Sequence, residues 1–457
     1  YGQEFDYRLT DGTSSGVASY EPQLGGDENP FHEPMFFTEK HLLAPDEEFY
    51  VERPLGEAMF PSPSVGYSRV TVQNLKRTGV NRHATGKVVH EFYTAKDFPT
   101  IADETDLKYD QDRTNPFSLA SLLNIKVKDY MTATQGFVIE QNDMHGKPRK
   151  QEVYAEDKTI PVSSVQYNYR SDPYGNGSFR LKNDAKVIAP DGTVSTGEIG
   201  MFFDVVADMR QEVSESNSVA AEINNDAFFL GPIPLTFPLI WPSISKERTQ
   251  FRSGTTTKVI QRFGILEETI AKDLGSVVKT KNLAYDAETG EVLLTQTTTD
   301  FNDEIFSLKY PVHWHYDQMG MAYKNIGVSF NLSASGFSAI SNAPAYFSVG
   351  DELAISPNTI GWVVDVKPNS ITVVNKVGNP ITGSNKTVKV IRSGRRNMQT
   401  MPMATLTTLA NPLNNISSNV YEKVLQAAAI EFSDKWRTYC DCYGTAQTDP
   451  SSNPYVL

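Results

Sequence analysis

Two neighbouring histidines are the residues of this chain with the plainest potential for metal chemistry. His313 and His315 flank Trp314, and in a β-strand side chains two positions apart point to the same face. Imidazole nitrogens bind zinc and copper, and the carboxylate of Asp317 could complete such a site. The competing interpretation, which we favour, is a hydrogen-bonded aromatic stripe without a metal.

The cysteines offer less chemistry. The chain holds 2 cysteines, Cys440 and Cys442, and a disulfide across a single intervening residue is strained. No further thiolate exists to build a four-cysteine zinc site. We therefore expect two free or loosely paired thiols, and a fold stabilised by core burial rather than by disulfides.

Other patterns that could support chemistry are sparse. No His-Glu-x-x-His, Gly-x-Ser-x-Gly or phosphate-binding loop occurs, so we name no catalytic residue and expect no enzymatic activity. Oxygen-rich loops can bind calcium, but the acidic clusters lack the spaced ladder of a helix-loop-helix calcium site. We expect solvated acidic faces and no cofactor, with calcium as the alternative. The acidic clusters are Asp27-Glu28, Asp46-Glu47-Glu48 and residues 300–304.

The most apolar stretch runs from Phe228 to Pro242 and contains four prolines. It is shorter than the roughly 20 residues that span a bilayer, and its prolines exclude a helix, so we predict no transmembrane segment and an extended backbone. Two interpretations stay open: a buried irregular plug over a sheet edge, or a surface for a partner or a membrane-proximal contact. The partner-binding candidates are Phe228, Phe229, Ile233, Phe237 and Trp241.

A repeated turn is the most specific pattern in the chain. An Asp early in a turn accepts hydrogen bonds from backbone amides just ahead of it, and a Gly at the end supplies the positive φ that reverses the chain. We predict that each turn closes a hairpin. The turns are Asp143 to Gly146, Asp286 to Gly290 and Asp317 to Gly320, with looser relatives at Asp191-Gly192 and at Asp172 to Gly175.

At these turns the sequence resembles the YD-repeat (RHS-like) family. The family unit carries a Tyr-Asp pair, a short gap, a Gly and a following strand, as at Tyr285-Asp286, Gly290 and residues 292–297. The resemblance covers roughly residues 136–325 and implies a long secreted or surface chain. In such proteins hairpins coil into a β-structured shell, and some shells enclose a toxin.

A second resemblance concerns residues 84–99, which are similar to segments of very large cell-surface proteins of Bacteroidota. This likeness implies that the chain is the N-terminal portion or a fragment of a longer protein, exported by type IX secretion. It also implies protein partners at the cell surface or outer membrane. A chain that begins with Tyr1 fits either a removed signal peptide or an excerpt.

Composition supports a β-rich protein. The 457 residues include 30 Gly and 26 Pro, with 11 % aromatic residues, which favours strands and hairpins over helical bundles. We predict a mainly β, multi-domain chain: an irregular antiparallel hairpin or sandwich body with an inserted small β module, and helix below about a fifth. The net charge of −13 argues against a nucleic-acid partner, because phosphate binding needs a basic face.

The pattern along the chain predicts a succession of segments. Residues 69–74 and 87–93 alternate as an antiparallel strand pair. Residues 115–123 and 421–432 are helix candidates, and residues 204–213 fit a helix or, nearly as well, a strand. The predicted segments are an extended, aromatic-anchored N-terminus (1–64), a β domain (65–135), a YD-type hairpin body with the apolar stretch (136–332), a small β-barrel or sandwich module (333–400) and a C-terminal segment leading to further domains (401–457).

These patterns lead to one preferred function and two alternatives. We expect a non-enzymatic structural or interaction scaffold on the bacterial cell surface, associated with outer-membrane or type IX secretion machinery. The first alternative is the N-terminal part of an RHS-like shell that delivers a C-terminal effector. The second is a carbohydrate-binding adhesin that stacks sugar on Trp362 or Trp436. The oligomeric state stays open.

Overall fold

A computed structural model of the chain describes most of its residues. The described ranges are 2–20, 35–39, 47–51, 59–62, 64–75, 79, 86–106, 108–114, 124–230, 233–301, 303–414 and 423–432. The helix candidate at 115–123, the acidic pair Asp27-Glu28, Trp436 and both cysteines lie outside the described residues.

Strands account for 57 % of the structure and helices for 5 %, which confirms the mainly β prediction. In chain order the first strands are β1 Gln3–Asp6, β2 Gly16–Ala18, β3 Met35–Glu39, β4 Glu47–Val51, β5 Val65–Tyr67, β6 Arg69–Asn74, β7 Lys87–Phe92, β8 Ile101–Glu104, β9 Lys108–Thr114, β10 Asn124–Asn142, β11 Pro148–Tyr154, β12 Ser163–Tyr169, β13 Ser171–Gly175, β14 Ser178–Leu181, β15 Asp184–Ile188 and β16 Val194–Glu198.

The remaining elements are longer on average. They are β17 Met201–Leu230, β18 Ile233–Arg262, β19 Leu266–Asp273, β20 Ser276–Asp286, β21 Val292–Thr298, β22 Glu304–Pro311, β23 Ser329–Asn331, helix α1 Ala343–Tyr346, β24 Glu352–Ile355, β25 Thr359–Lys367, β26 Ser370–Val374, β27 Pro380–Ile381, β28 Thr387–Arg392, β29 Pro402–Thr408 and β30 Val424–Ala429. Short 3₁₀ helices occur at 312–314, 317–319, 322–324 and 336–338.

The chain divides into two compact units. Unit 1 comprises residues 1–183 and 200–266, and unit 2 comprises residues 184–199 and 267–457. The predicted domain boundary between residues 135 and 136 falls inside the continuous strand β10, so no boundary lies there. A break at that point would interrupt a ladder of interstrand hydrogen bonds.

Unit 1 contains an antiparallel sheet in the order β1-β6-β7-β11-β12. The predicted pairing of residues 69–74 with 87–92 is confirmed, with Val72 opposite Val88. The N-terminal segment is more regular than expected, because β1 pairs with β6, β2 with β5, and β3 with β4. Backbone pairing therefore anchors this segment.

A second sheet of unit 1 is dominated by two very long strands. β17 and β18 each span 30 residues and pair antiparallel as one hairpin. β10 lies parallel to β18 on the other side, and β8 and β9 both pair with β10. At about 3.4 Å per residue the hairpin is roughly 100 Å long. The helix candidate at 204–213 is part of β17.

Unit 2 contains an antiparallel sheet in the order β19-β20-β21-β22-β29-β30, and β15 of the β15–β16 hairpin joins it beside β20. Its core includes Ala284, Leu294 and Phe306. The helix predicted at 421–432 is wrong: Val424–Ala429 forms β30, which pairs with β29. The alanines favour a helix locally, but the strand ladder on β29 overrides this propensity.

A six-stranded sheet, β23-β28-β24-β25-β26-β27, lies within unit 2 where the small module is predicted. Residues 333–336 are part of this module: Gly336 N donates to Ser333 O, and the next residue, Phe337, is buried in its core. Phe347, which follows helix α1, is also buried in this core, and further buried side chains come from the strands, among them Leu353, Ile355, Val363, Val388 and Val390.

Truncation in this core should be costly. Leu353 is fully buried, so Leu353→Ala should lower the free energy of unfolding of this region by about 2–5 kcal/mol, through lost burial and the cavity left behind. Ile360 on the neighbouring strand is 44 % exposed, and Ile360→Ala should cost within about 1 kcal/mol. Denaturant unfolding of both variants measures the difference; equal losses would contradict this core assignment.

Candidate functional site

The turn at Asp286 forms as its local chemistry predicts. It joins β20 to β21, which pair antiparallel, so the turn closes a hairpin. Asp286 Oδ1 accepts a hydrogen bond from Glu288 N at 3.0 Å, and Gly290 N donates to Asp286 O at 2.9 Å. Gly290 has a φ of +72°, a conformation that side chains with a Cβ rarely adopt.

Asp286 is also the centre of a buried polar cluster. Its carboxylate is fully buried, and it accepts hydrogen bonds from Thr289 Oγ1 at 2.9 Å and Trp314 Nε1 at 3.3 Å, while His313 Nε2 lies 2.9 Å from Oδ2. Burial alone raises the pKa of Asp286. The contacts with His313, Glu288 N and Thr289 outweigh burial and hold that pKa below its ordinary value.

The histidines do not share a face, so the arrangement considered for a metal site, with both side chains on one face of a strand, does not form. Residues 312–314 form a 3₁₀ helix rather than a strand, which buries His313 and leaves His315 exposed. His313 instead faces the carboxylates of Asp286 and Glu288. Within the part of the chain that the structure describes, no group of three or more His, Cys, Asp or Glu side chains is placed to hold a metal ion.

The turn at Asp143 differs from the prediction. Gly146 has a φ of +90°, but it connects β10 to β11, which belong to different sheets, so no hairpin forms. Asp143 Oδ1 accepts from Gly264 N at 2.8 Å, 121 residues away along the chain, and Oδ2 lies 2.6 Å from Lys147 Nζ. The turn's own amide, Met144 N, donates instead to Asn142 Oδ1.

The segment from Asp317 to Gly320 is not a hairpin turn either. Residues 317–319 form a 3₁₀ helix, and Gly320 is buried without a positive φ. The carbonyl of Gly320 accepts a hydrogen bond from Asn397 N at 3.1 Å, which ties the segment to a distant part of unit 2. The segment from Asp317 to Gly320 therefore forms a helical turn and does not reverse the chain.

The looser relatives do form hairpins. Gly192 (φ +83°) closes the β15–β16 hairpin, and Asp191 Oδ1 accepts from Thr193 N at 2.9 Å. The same Asp-Gly-Thr turn occurs at residues 11–13, which the sequence analysis missed although the three residues match. Gly175 (φ +123°) lies in the β13–β14 hairpin.

Asp351 is a further organising carboxylate that the sequence analysis missed. It is fully buried and accepts hydrogen bonds from Ser348 N, Gly394 N and Asn325 Nδ2 at 2.7–2.8 Å. Arg395 is buried beside it, and its Nε donates to Ser348 Oγ at 3.1 Å. The Ser-x-x-Asp spacing was the available signal, since such pairs satisfy amides within a turn.

Two other candidates have structural partners. The carboxylate of Asp300, in the acidic cluster considered for calcium, accepts hydrogen bonds from Ser276 Oγ at 2.6 Å and Val277 N at 3.0 Å. It thereby connects the turn after β21 to the first residues of β20. Trp362, considered as a sugar platform, is half-buried in β25.

At the base of the long hairpin, the buried carboxylate of Glu140 is surrounded by arginine side chains. Glu140 on β10 accepts two hydrogen bonds from Arg180, and its Oε1 lies 3.0 Å from Arg262 Nε on β18. Burial raises the pKa of Glu140, but the two guanidinium groups outweigh it and lower the pKa. Asn183 Nδ2 donates to Gly200 O and Phe263 O, which belong to the residues directly before β17 and directly after β18.

The apolar stretch forms the far end of this hairpin rather than an irregular plug. Phe228 lies opposite Leu235, and Phe229 opposite Pro234, in an unbroken antiparallel register. The candidates Ile233, Phe237 and Trp241 lie on β18 in the same ladder, opposite Leu230, Asp226 and Glu222. The structure describes the backbone of these strand residues, which places all five partner-binding candidates on one ribbon.

In the described part of the chain, this ribbon has no third strand. β10 pairs with β18 only from Ile244 onwards, so among the described strands residues 220–230 pair only with 233–243. We call these residues the outer ribbon. A two-stranded ribbon alone is marginally stable in water, because neither face has a partner to pack against.

Comparisons with known proteins do not assign the chain. No protein-family model matches it, and no curated protein or solved structure is significantly similar to it. Among the described residues, no helix has the length and apolar character needed to cross a membrane. The function therefore has to be inferred from the geometry, in which the outer ribbon is the strongest candidate.

The Asp286 turn yields a first test. Gly290→Val forces a β-branched residue to positive φ, and should destabilise the folded chain by about 1–3 kcal/mol. Thr295→Val, on the half-buried strand β21, should be nearly neutral because a strand suits valine. The denaturation midpoints of the two variants measure this difference, and equal midpoints would show that the turn is not required.

The pH dependence of stability yields a second test. Because the folded pKa of Asp286 is lowered, its contribution is complete above its unfolded value, about pH 4, and is lost as the pH falls through the folded pKa. Unfolding free energies measured from about pH 7 to pH 3 should therefore fall more steeply for the wild type than for Asp286→Asn.

A matched control is available for this measurement. Asp303 is exposed, and Asp303→Asn should leave the wild-type pH profile unchanged. A profile for Asp286→Asn that runs parallel to the wild-type profile would show that the buried carboxylate does not titrate as described.

Proposed function

We propose that this protein is a non-enzymatic interaction scaffold of the bacterial cell surface, and that the outer ribbon is its main protein-binding element. The observation that carries the proposal is the length of the β17–β18 hairpin beyond its last supporting strand. Among the strands that the structure describes, its end, at residues 220–230 and 233–243, has only its own two strands. An element of this kind is stabilised when a partner covers it.

The composition of the ribbon supports this proposal. Its apolar residues include large aromatic and branched side chains, each worth about 1.5–3 kcal/mol when fully buried. Phe228, Phe237 and Trp241 are of the types that dominate the energetics of protein interfaces. A partner that buried several of them would gain enough free energy to order the ribbon.

The prolines of the ribbon are compatible with a paired strand. Pro234, Pro238 and Pro242 are spaced by four residues, so their missing N–H groups face the same side of β18. That side faces away from β17. Phe263 N donates to Gly200 O, so the odd-numbered residues of β18 direct their N–H groups toward β17, whereas the three prolines are even-numbered. A proline there removes no hydrogen bond from the β17–β18 ladder.

The location rests on sequence resemblance. The similarity of residues 84–99 to surface proteins of Bacteroidota supports the cell surface, with outer-membrane or type IX secretion components as partners. The Tyr-Asp turn at residues 285–286 supports a secreted hairpin protein of the YD-repeat kind. The acidic charge of −13 is compatible with protein partners rather than nucleic acid.

A shortened hairpin tests the proposal. Replacing residues 221–242 with Asn-Gly joins the opposed, hydrogen-bonded residues Ala220 and Ser243 by a two-residue turn and leaves the register below it intact. In the producing bacterium, a membrane-impermeant biotin reagent should label both the wild type and the shortened chain on intact cells. The wild type should cofractionate with the outer membrane, whereas the shortened chain should be released.

The thermal midpoint of the shortened chain, which should match the wild type, is the control for folding. Labelling of the wild type only after cell lysis would overturn the surface location. Retention of the correctly folded short chain in the outer-membrane fraction would overturn the role of the outer ribbon.

A further inference from the structure

His145 lies in the turn between β10 and β11, beside two other parts of unit 1. The backbone of this turn is bonded to the residue that follows β7: Gly146 N donates to Tyr93 O at 2.8 Å, and Tyr93 N donates to Lys147 O at 2.9 Å. The imidazole of His145 adds two contacts of its own. One is with the loop at residues 94–98, and the other is with β5.

The contact with the loop is a hydrogen bond whose direction is fixed by its donor. Ala95 N donates to His145 Nδ1 at 3.1 Å. A backbone amide nitrogen only donates, so Nδ1 has to be the unprotonated nitrogen of a neutral imidazole, with the proton on Nε2. This hydrogen bond therefore exists only while His145 is uncharged.

The contact with β5 is steric. A Cβ at Gly66 would lie 2.6 Å from His145 Nε2, so the absence of a side chain lets the β5 backbone pack directly against the ring. β5 pairs with β2, and these two strands form a small sheet of their own. The imidazole thus contacts both this small sheet and the loop at residues 94–98.

A charged imidazole would find no acceptor in these surroundings. Protonation would place a second donor on Nδ1, directly facing the Ala95 N–H. Nε2 is buried and has no hydrogen-bond partner in the described part of the chain. Burial lowers the pKa of His145, because the charged form loses hydration and gains no hydrogen bond in return.

The titratable groups of the turn and of Tyr93 are engaged elsewhere. Asp143 accepts from Gly264 N at 2.8 Å and lies 2.6 Å from Lys147 Nζ. The hydroxyl of Tyr93 donates to Tyr167 O at 3.0 Å. These groups belong to the element that carries His145 or are bonded to it, but their printed partners lie on other atoms than the imidazole.

The same holds for the loop and for β5. Asp97 Oδ2 accepts from Thr94 N at 2.9 Å, and its Oδ1 lies 3.5 Å from an Arg149 guanidinium nitrogen. The other charged residue of the loop, Lys96, is exposed and is itself a cation. β5 brings one titratable side chain, Tyr67, whose ring packs on another tyrosine. Among the described residues, none of these elements offers the imidazole a carboxylate at hydrogen-bond distance.

We propose that His145 is an acid-sensitive clamp of unit 1: the neutral imidazole holds the loop at residues 94–98 and the β2–β5 sheet on the β10–β11 turn, and protonation of Nδ1 releases them. The step takes up one proton from solvent at Nδ1 as the hydrogen bond from Ala95 N breaks. Histidine is the side chain suited to such a switch, because its ordinary pKa lies near neutrality. The clamp lies outside the long hairpin, so it is independent of the outer ribbon and of the proposed function.

The sign of the pH dependence follows from the lowered pKa of His145. The released state binds a proton more readily than the clamped state. The clamp is therefore complete above the ordinary histidine value of about 6.5, and it weakens as the pH falls from there through the folded pKa.

Hydrogen–deuterium exchange of the full chain, read by mass spectrometry and corrected for the intrinsic pH dependence of exchange, measures the release. Between about pH 7.5 and about pH 5, amide protection at residues 65–67 and 94–98 should fall at least about threefold in the wild type. Protection of β24 and β28, in the core of the small module of unit 2, should stay constant. A loss there as well would indicate general unfolding and would contradict a local clamp.

Two histidine variants are matched for this measurement. In His145→Asn the side-chain oxygen can accept from Ala95 N but cannot be protonated in this pH range, so protection at residues 94–98 should no longer depend on pH. His90, on β7 of the same unit, provides the control. His90→Asn should lose protection on acidification as the wild type does.

A measurement on the wild type alone decides the question if His145→Asn does not fold. The slow exchange of the imidazole Cε1 hydrogen, read by mass spectrometry in the peptide that contains it, yields the pKa of each histidine. The pKa of His145 should lie below the ordinary value of about 6.5.

Three further outcomes would overturn the inference. A pKa of His145 at or above its ordinary value would mean that the folded chain accommodates the imidazolium. Equal loss of protection in His145→Asn and the wild type would assign the acid response to another group. Constant protection of residues 94–98 in the wild type down to about pH 5 would mean that protonation releases nothing.

Discussion

The uninterrupted register of β17 on β18 is the constraint on which the functional argument depends. A ladder of 30 pairs without a bulge makes side-chain face and hydrogen-bond direction strictly alternating along each strand. The N–H side on which the prolines of β18 lie follows from that alternation. A bulge, which adds one residue on one strand, would exchange the two faces beyond it and place Pro238 and Pro242 where β17 needs a donor.

Buried carboxylates organise several turns and loops of this chain. Asp286 and Asp351 are fully buried and each collects several donors from its surroundings, while Glu140 gathers two guanidinium groups at the base of the hairpin. Removing one partner from such a cluster leaves the rest desolvated and unpaired, which is costly. The turns and the hairpin base are thus held in defined geometries by charge-assisted contacts.

Sequence patterns predicted the parts of this fold that are local. Alternation of Val and Thr identified β6 and β7, and the Asp-x-x-x-Gly spacing identified the Asp286 turn, because its hydrogen bonds join residues within five positions of each other. The hydrogen bond of Asp143 could not be predicted in this way. Its donor, Gly264 N, is 121 residues away, and the sequence around Asp143 does not indicate it. His313 was misplaced because Pro311 ends a strand and a helical turn follows, which changes the face of every residue after it.

The parallel pairing of β10 with β18 has a consequence for the order in which the chain folds. Asn124 pairs with Ile244, so a loop of about 120 residues must close before this part of the ladder can form, and such closure is slow. The β17–β18 hairpin joins neighbouring segments and can form without that closure. During synthesis β10 therefore emerges long before its partner exists, and it must be kept from other open edges until residue 262 has left the ribosome. A chain of this design would benefit from a holding chaperone that recognises exposed strands, more than from a catalyst of disulfide exchange or proline isomerisation.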